Sequence, residues 1–294
     1  MDGRRQGILA SFCWVSWMAA IVVLPPEPAG AESRPSTSCR SEPGGTGKVR
    51  AITDGRSFTL DDGREIRLAG IEAPLLPGPG EAGTRAKAGL AARAALESII
   101  AGQNVDLRQN DMPADRYGRT TAFVYVSGGA LPESVAHEML ARGFARVSAH
   151  VGERPCADEL LARERAARQA KLGLWGEPYY VIVSAESGAE LVAESGHFIL
   201  AEGKVWSVRE SGGTIYVNFG RQWSQALTVT ILKRNERMFA AAGLEPKRLE
   251  NRSVRVRGCG SRNATGRASR SPARSRSRSL AGTDGNSRIA SWKP

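Results

Sequence analysis

Ile66-Arg67-Leu68-Ala69-Gly70-Ile71-Glu72-Ala73-Pro74 is the stretch on which the reading of this chain turns. Side chains alternate across a strand, so Ile66 and Leu68 share one face and Arg67 takes the other. In a small barrel that other face is the outer, ligand-facing side. Working outward, Val49–Thr53 and Ser57–Leu60 read as two strands before it, and Arg64–Ile71 as a third. Asp54-Gly55 and Asp61-Asp62-Gly63 supply the turns. Glu81–Ile100 is Ala-rich and helical, stopped by Gly102. Val105–Arg108 and Thr120–Val126 read as two more strands. Pro132–Arg142 and Cys156–Leu172 read as helices closed by Gly143 and Gly173. Five strands with one helix among them and two helices trailing predict a small OB-type barrel.

A second β-rich stretch follows. Lys204–Val208, Thr214–Phe219, Ala226–Leu232 and Val254–Arg257 read as strands, with a helix over Asn235–Ala242 capped by Gly243. Ile215, Val217 and Phe219 alternate, as do Leu227, Val229 and Ile231. The order is OB-like without a fifth strand. The expected fold class is therefore a β-rich α+β chain: an OB barrel plus a second, smaller OB-like β unit.

Composition sets the boundaries. The chain has 294 residues, 41% hydrophobic and 24% charged, with a net charge of +11. That suffices for two modest domains and argues against wholesale disorder. Residues 258–294 hold eight basic residues against one acid, so most of the excess charge lies in the tail and the folded part is only mildly basic. Residues 1–31 read as a secretory signal: Arg4 and Arg5, an apolar run from Ile8 to Leu24, then Pro25, Pro26 and Pro28 and the small-x-small site Ala29-Gly30-Ala31. A retained anchor is the alternative. The expected location is periplasmic or secreted, with no membrane insertion after cleavage, as a monomer. The remaining divisions are a linker at 32–46, the barrel at 47–180, a linker at 181–197, the second unit at 198–258 and a basic, disordered tail at 259–294. Such Arg, Ser, Ala and Gly enrichment is also what a GC-rich gene yields in a shifted frame; a nucleic-acid- or lipid-binding basic arm is the alternative.

No Cys-x-x-Cys pair exists and the three histidines are scattered, so a zinc site is not expected. Cys13 leaves with the signal. In an oxidising compartment Cys39 and Cys156, which lie near the two edges of the barrel unit, are expected to pair, with Cys259 as the competing partner. Trp206, Tyr216 and Trp223 either stack bases, as OB surfaces do, or pack structurally.

Three segments together resemble the staphylococcal nuclease (thermonuclease-like) family: Thr53-Asp54-Gly55-Arg56-Ser57-Phe58, Ile66–Pro74, and Asp115-Arg116-Tyr117-Gly118-Arg119. The helix ending Lys171-Leu172-Gly173-Leu174-Trp175 is similar to the family's C-terminal helix. The resemblance implies cleavage of phosphodiesters with one calcium ion, held by two aspartates, with a glutamate base and two arginines on the phosphate. Guanidinium forks match the developing charge on phosphoryl oxygens, and hard oxygen ligands suit calcium. It implies that Arg67 and Arg119 contact phosphate and that Tyr117 lies near a bound nucleotide. Glu72 stands at one metal-ligand position. Arg56 stands at the other, where a cation opposes a dication, and Leu75 stands where the base belongs. Losing a general base costs about 10²–10⁴ in rate. Ala149 and Val151 replace two further tyrosines. Arg56 either pairs with Glu72, its guanidinium standing in for calcium, or is solvated. The resemblance thus implies nucleic acid or another phosphodiester as partner and calcium as the family's metal, while the departures at Arg56 and Leu75 imply a degraded calcium site and no cofactor. Two alternatives stand: a working nuclease that recruits Glu81 or Asp115 without calcium, and a non-catalytic envelope docking module.

Overall fold

The computed structural model describes residue 39, residues 42–109, 114–115, 118–129, 134–149, 151, 154–221, 225–241, 243–259, 261–262 and 290–292. The expected signal segment, Tyr117, Trp223 and most of the basic tail lie outside the described residues.

The first five-stranded sheet closes on itself. Strands β1 (Glu42–Asp54), β2 (Ser57–Leu60) and β3 (Glu65–Leu68) form an antiparallel meander. After the short β4 (Ile71–Glu72) and helix α1 (Thr84–Ile100) come β5 (Asn104–Gln109) and β6 (Thr120–Val126). The barrel order is β1-β2-β3-β6-β5, with β3 and β6 parallel and β5 returning to β1. Closure depends on β1 being 13 residues long and bent: its register shifts between Pro43 and Thr46, and again on either side of Ala51–Ile52. Bulges of this kind bend a strand enough to serve two partners. Close packing inside the bend needs Gly47, where a Cβ would meet Leu60 Cδ1 at 2.7 Å. Phe58, Leu60, Ile66, Leu68, Leu107 and Val124 fill the barrel, each almost fully buried.

Helices α2 (Val135–Ala141) and α3 (Arg154–Gln169), with β7 (Arg146–Val147) between them, cover one end. β7 pairs with β4 through Ile71–Val147 and Glu72–Arg146. Cys39 and Cys156 are joined by a disulfide that ties the chain ahead of β1 to the start of α3, 117 residues away. Beside it, buried His137 shares a hydrogen bond with Ser134, Nδ1 to Oγ at 2.7 Å, and faces Glu159 Oε1 at 3.3 Å.

The second unit is built from β8 (Ile182–Ser184), helix α4 (Gly188–Ala193), β9 (Phe198–Lys204), β10 (Ser207–Ser211), β11 (Thr214–Asn218), β12 (Leu227–Leu232), helix α5 (Glu236–Ala241), β13 (Ser253–Cys259), β14 (Ser261–Arg262) and β15 (Ala290–Trp292). Three strands form one sheet, β13-β9-β8, and five another, β10-β11-β12-β15-β14. Val183, Val205, Val217, Phe219, Val229 and Val256 lie in the core between them.

Three features depart from the sequence reading. The stretch 181–197, expected as a linker, holds β8 and α4, because Val183 and Leu191 bury in the second core. The expected strand Lys204–Val208 is two strands meeting at Val205–Trp206, with Val205 turned inward and Trp206 outward. Finally, strand structure continues past position 258: β13 runs to Cys259, and β14 and β15 join the larger sheet, β15 antiparallel to β12 through Leu227–Trp292. β15 pairs through its backbone with both β12 and β14, and backbone pairing does not itself require alternating apolar side chains.

The described residues from 39 to 292 belong to one compact unit. Arg257 on β13 enters the barrel unit's side and meets Glu164 of α3 with Nη1–Oε2 at 2.8 Å and Nη2–Oε1 at 3.0 Å. The same Nη1 donates to Val147 O at 2.8 Å. This bidentate grip on a fully buried carboxylate fixes how the second unit sits on the first.

Candidate active site

The candidate side chains lie where β2, β3 and β4 leave the barrel. The Asp54-Gly55 turn presents Arg56, whose backbone N–H donates to Asp54 Oδ1 at 2.8 Å. Gly55 is required there because a Cβ would fall 2.8 Å from Ala92 and 2.9 Å from Ala73. Arg56 turns its guanidinium onto Glu72, forming an ion pair between Nη1 and Oε2. Arg67, projecting from β3 opposite buried Ile66 and Leu68, reaches the other oxygen of the same carboxylate, Nη2 to Oε1 at 3.3 Å. That is long for a charge-assisted bond, which usually spans about 2.7–2.9 Å. Glu72 is thus shared by two cations, one close and one loose.

Arg119 follows a turn in which Gly118 adopts φ +79°, a left-handed conformation that favours glycine. Asp115 binds its guanidinium at Nε (2.9 Å) and Nη2 (2.8 Å), and its backbone N–H at 3.1 Å. Burial lowers the Arg67 guanidinium from its ordinary value, and neighbouring Arg119 lowers it further. Burial and the charges of Arg67 and Arg119 bring Arg56 down to about 10, against the opposing pull of Asp54. At about 10, Arg56 stays protonated at neutral pH. The fold therefore gathers Arg56, Arg67, Arg119 and Glu72 into one electrostatic cluster.

Leu75 is 66% exposed, an apolar side chain standing in water beside Glu72. Its backbone is pressed against α1: a Cβ on Gly89 would lie 2.1 Å from Leu75 O. Among the alternative acids, Asp115 is committed to Arg119, whereas Glu81 lines the same pocket as Glu72 while its Oε2 accepts the backbone N–H of Gly78 at 3.0 Å. Ala149 and Val151 are buried, so neither side chain offers the pocket a group.

That pocket has a volume of about 210 Å³, and the sequence gives no sign of half its wall. Arg56, Glu72, Leu75 and Glu81 come from the barrel; His197, Phe198 and Cys259 come from the second unit. Arg85 of α1 donates to the His197 ring, Nη1 to Nδ1 at 2.8 Å, and pairs with Glu194 Oε1 at 2.9 Å. Arg146 of β7 donates to Phe198 O and lies 4.4 Å from the Tyr180 ring centroid. Cys259 is a free thiol; burial pushes it up from its ordinary value while Arg56 and Arg146 pull it back.

Comparison with known proteins agrees with this architecture. The sequence profile of the staphylococcal nuclease homologue family matches residues 65–177, the segment from β3 to the end of the barrel unit. A micrococcal nuclease from Shigella flexneri is 29% identical over 168 residues, 54% of this chain and 83% of the relative. Protein ParB from Escherichia coli is 31% identical over 143 residues, 46% of this chain and 75% of the relative. The protein named Probable endonuclease LCL3 from Verticillium alfalfae is 35% identical over 134 residues, 45% of each. The match over residues 65–177 together with the closed five-stranded barrel settles the kinship: the chain belongs to the staphylococcal nuclease family.

Proposed function

We propose that this protein is an exported nuclease-family member that binds a phosphodiester at Arg67 and Arg119 and has lost calcium-dependent hydrolysis. The observation that carries this is the Arg56–Glu72 ion pair. Calcium needs six to eight oxygen ligands, several of them anionic. Here the carboxylate at the ligand position is taken by one guanidinium and approached by a second. Two unit charges about 4 Å apart interact by about 4 kcal/mol at an effective dielectric of 20, so a dication meeting Arg56 is opposed by at least that much. Leu75 carries no group that accepts a proton. These residues do not fit a calcium ion. Export is supported by the apolar N-terminal run and by the Cys39–Cys156 disulfide, a bond that persists in oxidising compartments.

One observation favours a second reading, metal-independent hydrolysis: Glu81 faces the pocket that Glu72 lines. The deciding experiment incubates the protein with single-stranded DNA and RNA in calcium and in chelator, and measures binding in parallel at low salt. Binding without cleavage supports the proposal. Cleavage that calcium stimulates defeats it, and cleavage that survives chelator and disappears in Glu81→Gln establishes the second reading.

A further inference from the structure

The larger sheet of the second unit has an outer face that the barrel site does not use. Val208, Ile215, Val217, Val229 and Ile231 point into the core. The period of two then places Ser207, Arg209, Tyr216, Asn218, Thr228 and Thr230 on the opposite face. Strand register aligns them in two rows across three strands: Arg209–Tyr216–Thr230 and Ser207–Asn218–Thr228. In the second row Asn218 donates from Nδ2 to Ser207 Oγ at 3.2 Å and accepts Thr228 Oγ1 at 3.0 Å, so its amide is held in one orientation.

Trp206 stands at the end of these rows, 46% exposed. The Arg221 guanidinium lies 4.6 Å from its ring centroid, a cation–π contact. Together these residues line a groove of about 520 Å³, more than twice the volume of the pocket beside Arg56. Among the described residues its wall holds two arginines, two aromatic rings and a set of neutral hydrogen-bonding groups, and no carboxylate. The nearest acid on β10, Glu210, is paired with Lys233 at 2.6 Å.

We propose that this outer face binds single-stranded nucleic acid, with a base stacked on Trp206 and the backbone phosphates drawn to Arg209 and Arg221. The chemistry narrows the occupant. Two cations with no competing carboxylate select an anionic chain. An exposed indole offers a stacking platform that every base can use, worth about 1–3 kcal/mol per base. A fixed amide flanked by hydroxyls suits polar base edges. The face lies on the strands of an OB-like sheet, where a strand of nucleic acid runs across the rows rather than into a cleft. The inference extends the phosphodiester-binding reading, but it rests on different residues, so the two can fail separately.

The test titrates the full chain with a fluorescein-labelled oligothymidylate and follows anisotropy at several salt concentrations. Four proteins are compared: wild type, Trp206→Ala, Arg209→Ala with Arg221→Ala, and Arg67→Ala with Arg119→Ala. Trp206→Ala is expected to weaken binding about 5- to 150-fold, and Trp206→Phe to restore most of it. The Arg209/Arg221 variant is expected to lower the slope of log K against log salt by about 1.4, two phosphates at about 0.7 each. The Arg67/Arg119 variant is expected to retain binding that Trp206→Ala then removes. If both outer-face variants bind like wild type while the Arg67/Arg119 variant does not bind, this inference falls and the barrel reading stands. If the outer-face variants lose all binding and the Arg67/Arg119 variant loses none, this inference stands and the barrel reading falls. Displacement of the oligonucleotide by an anionic polysaccharide at lower concentration than by unlabelled oligothymidylate assigns the face to glycan and overturns it.

Discussion

Arg257 and Glu164 lie 93 positions apart in sequence, and their side chains, 3% and 1% exposed, form a two-pronged ion pair that locks β13 against α3. The pair closes the wall that carries Cys259, two residues further along β13, into the pocket beside Arg56. Breaking it by removing one partner leaves an uncompensated buried charge. Arg257→Ala is therefore expected to lose about 3–5 kcal/mol of stability in urea denaturation. Replacing both residues with leucine is expected to lose much less. A double-variant loss equal to the sum of the two single losses would show that the residues do not act as a pair.

The same pair predicts a pH dependence. Burial pushes the Glu164 carboxyl up, but the charge and hydrogen bonds of Arg257, with those of Val147 and Arg168, hold it below its ordinary 4.5. A carboxylate depressed in the folded state stabilises above its unfolded value, and that stabilisation is lost as pH falls through the folded one. Stability is thus expected to be flat in this contribution above pH 4.5 and to fall below it. In Glu164→Gln the acid limb should flatten. Denaturation midpoints across pH 3–7 check this; an unchanged acid limb in the variant would count against Glu164 as its source.

The Arg56–Glu72 pair sets an expectation about calcium. Wild-type protein is expected to show no calcium binding by titration calorimetry. Arg56→Asp with Leu75→Glu returns two carboxylates beside Glu72, and calcium binding with some DNA cleavage is expected to appear. Arg56→Asp alone should bind calcium without gaining the base, leaving cleavage about 10²–10⁴ lower than in the double variant. Calcium-dependent cleavage by the wild type at enzyme-like rates would overturn the reading.

The Cys39–Cys156 disulfide closes a span of 117 residues. In the chain-entropy account a loop of that size stabilises by about 4–5 kcal/mol through the unfolded state. Cys39→Ser with Cys156→Ser is expected to lower the melting temperature by about 8–20 °C, given about 2–4 °C per kcal/mol for a unit of this size. Peptide mapping without reductant should find Cys259 as a free thiol. A melting temperature indifferent to dithiol would remove the disulfide from the account of stability.

The sequence by itself determined what rests on local rules. Ile66-Arg67-Leu68 fixes which face Arg67 takes, because strand alternation is a property of the backbone. Asp54-Gly55 and the Tyr117-Gly118 dipeptide mark turns through glycine's freedom, and Arg56 and Leu75 announce their departures by chemistry alone. Only the tertiary structure decided the rest. Nothing within a few residues of Arg257, Cys259 or His197 says that they face the barrel. A strand carrying alternating arginines reads as solvated until α3 supplies Glu164. Trp206 reads equally as core or surface, since its neighbour Val205 takes the inward position only when β9 and β13 pair. The Cys39–Cys156 span likewise could be drawn in sequence, but the approach of its ends depends on the barrel closing. Such contacts join residues about a hundred positions apart, and their partners are chosen by how two hydrophobic cores dock, which no local pattern encodes.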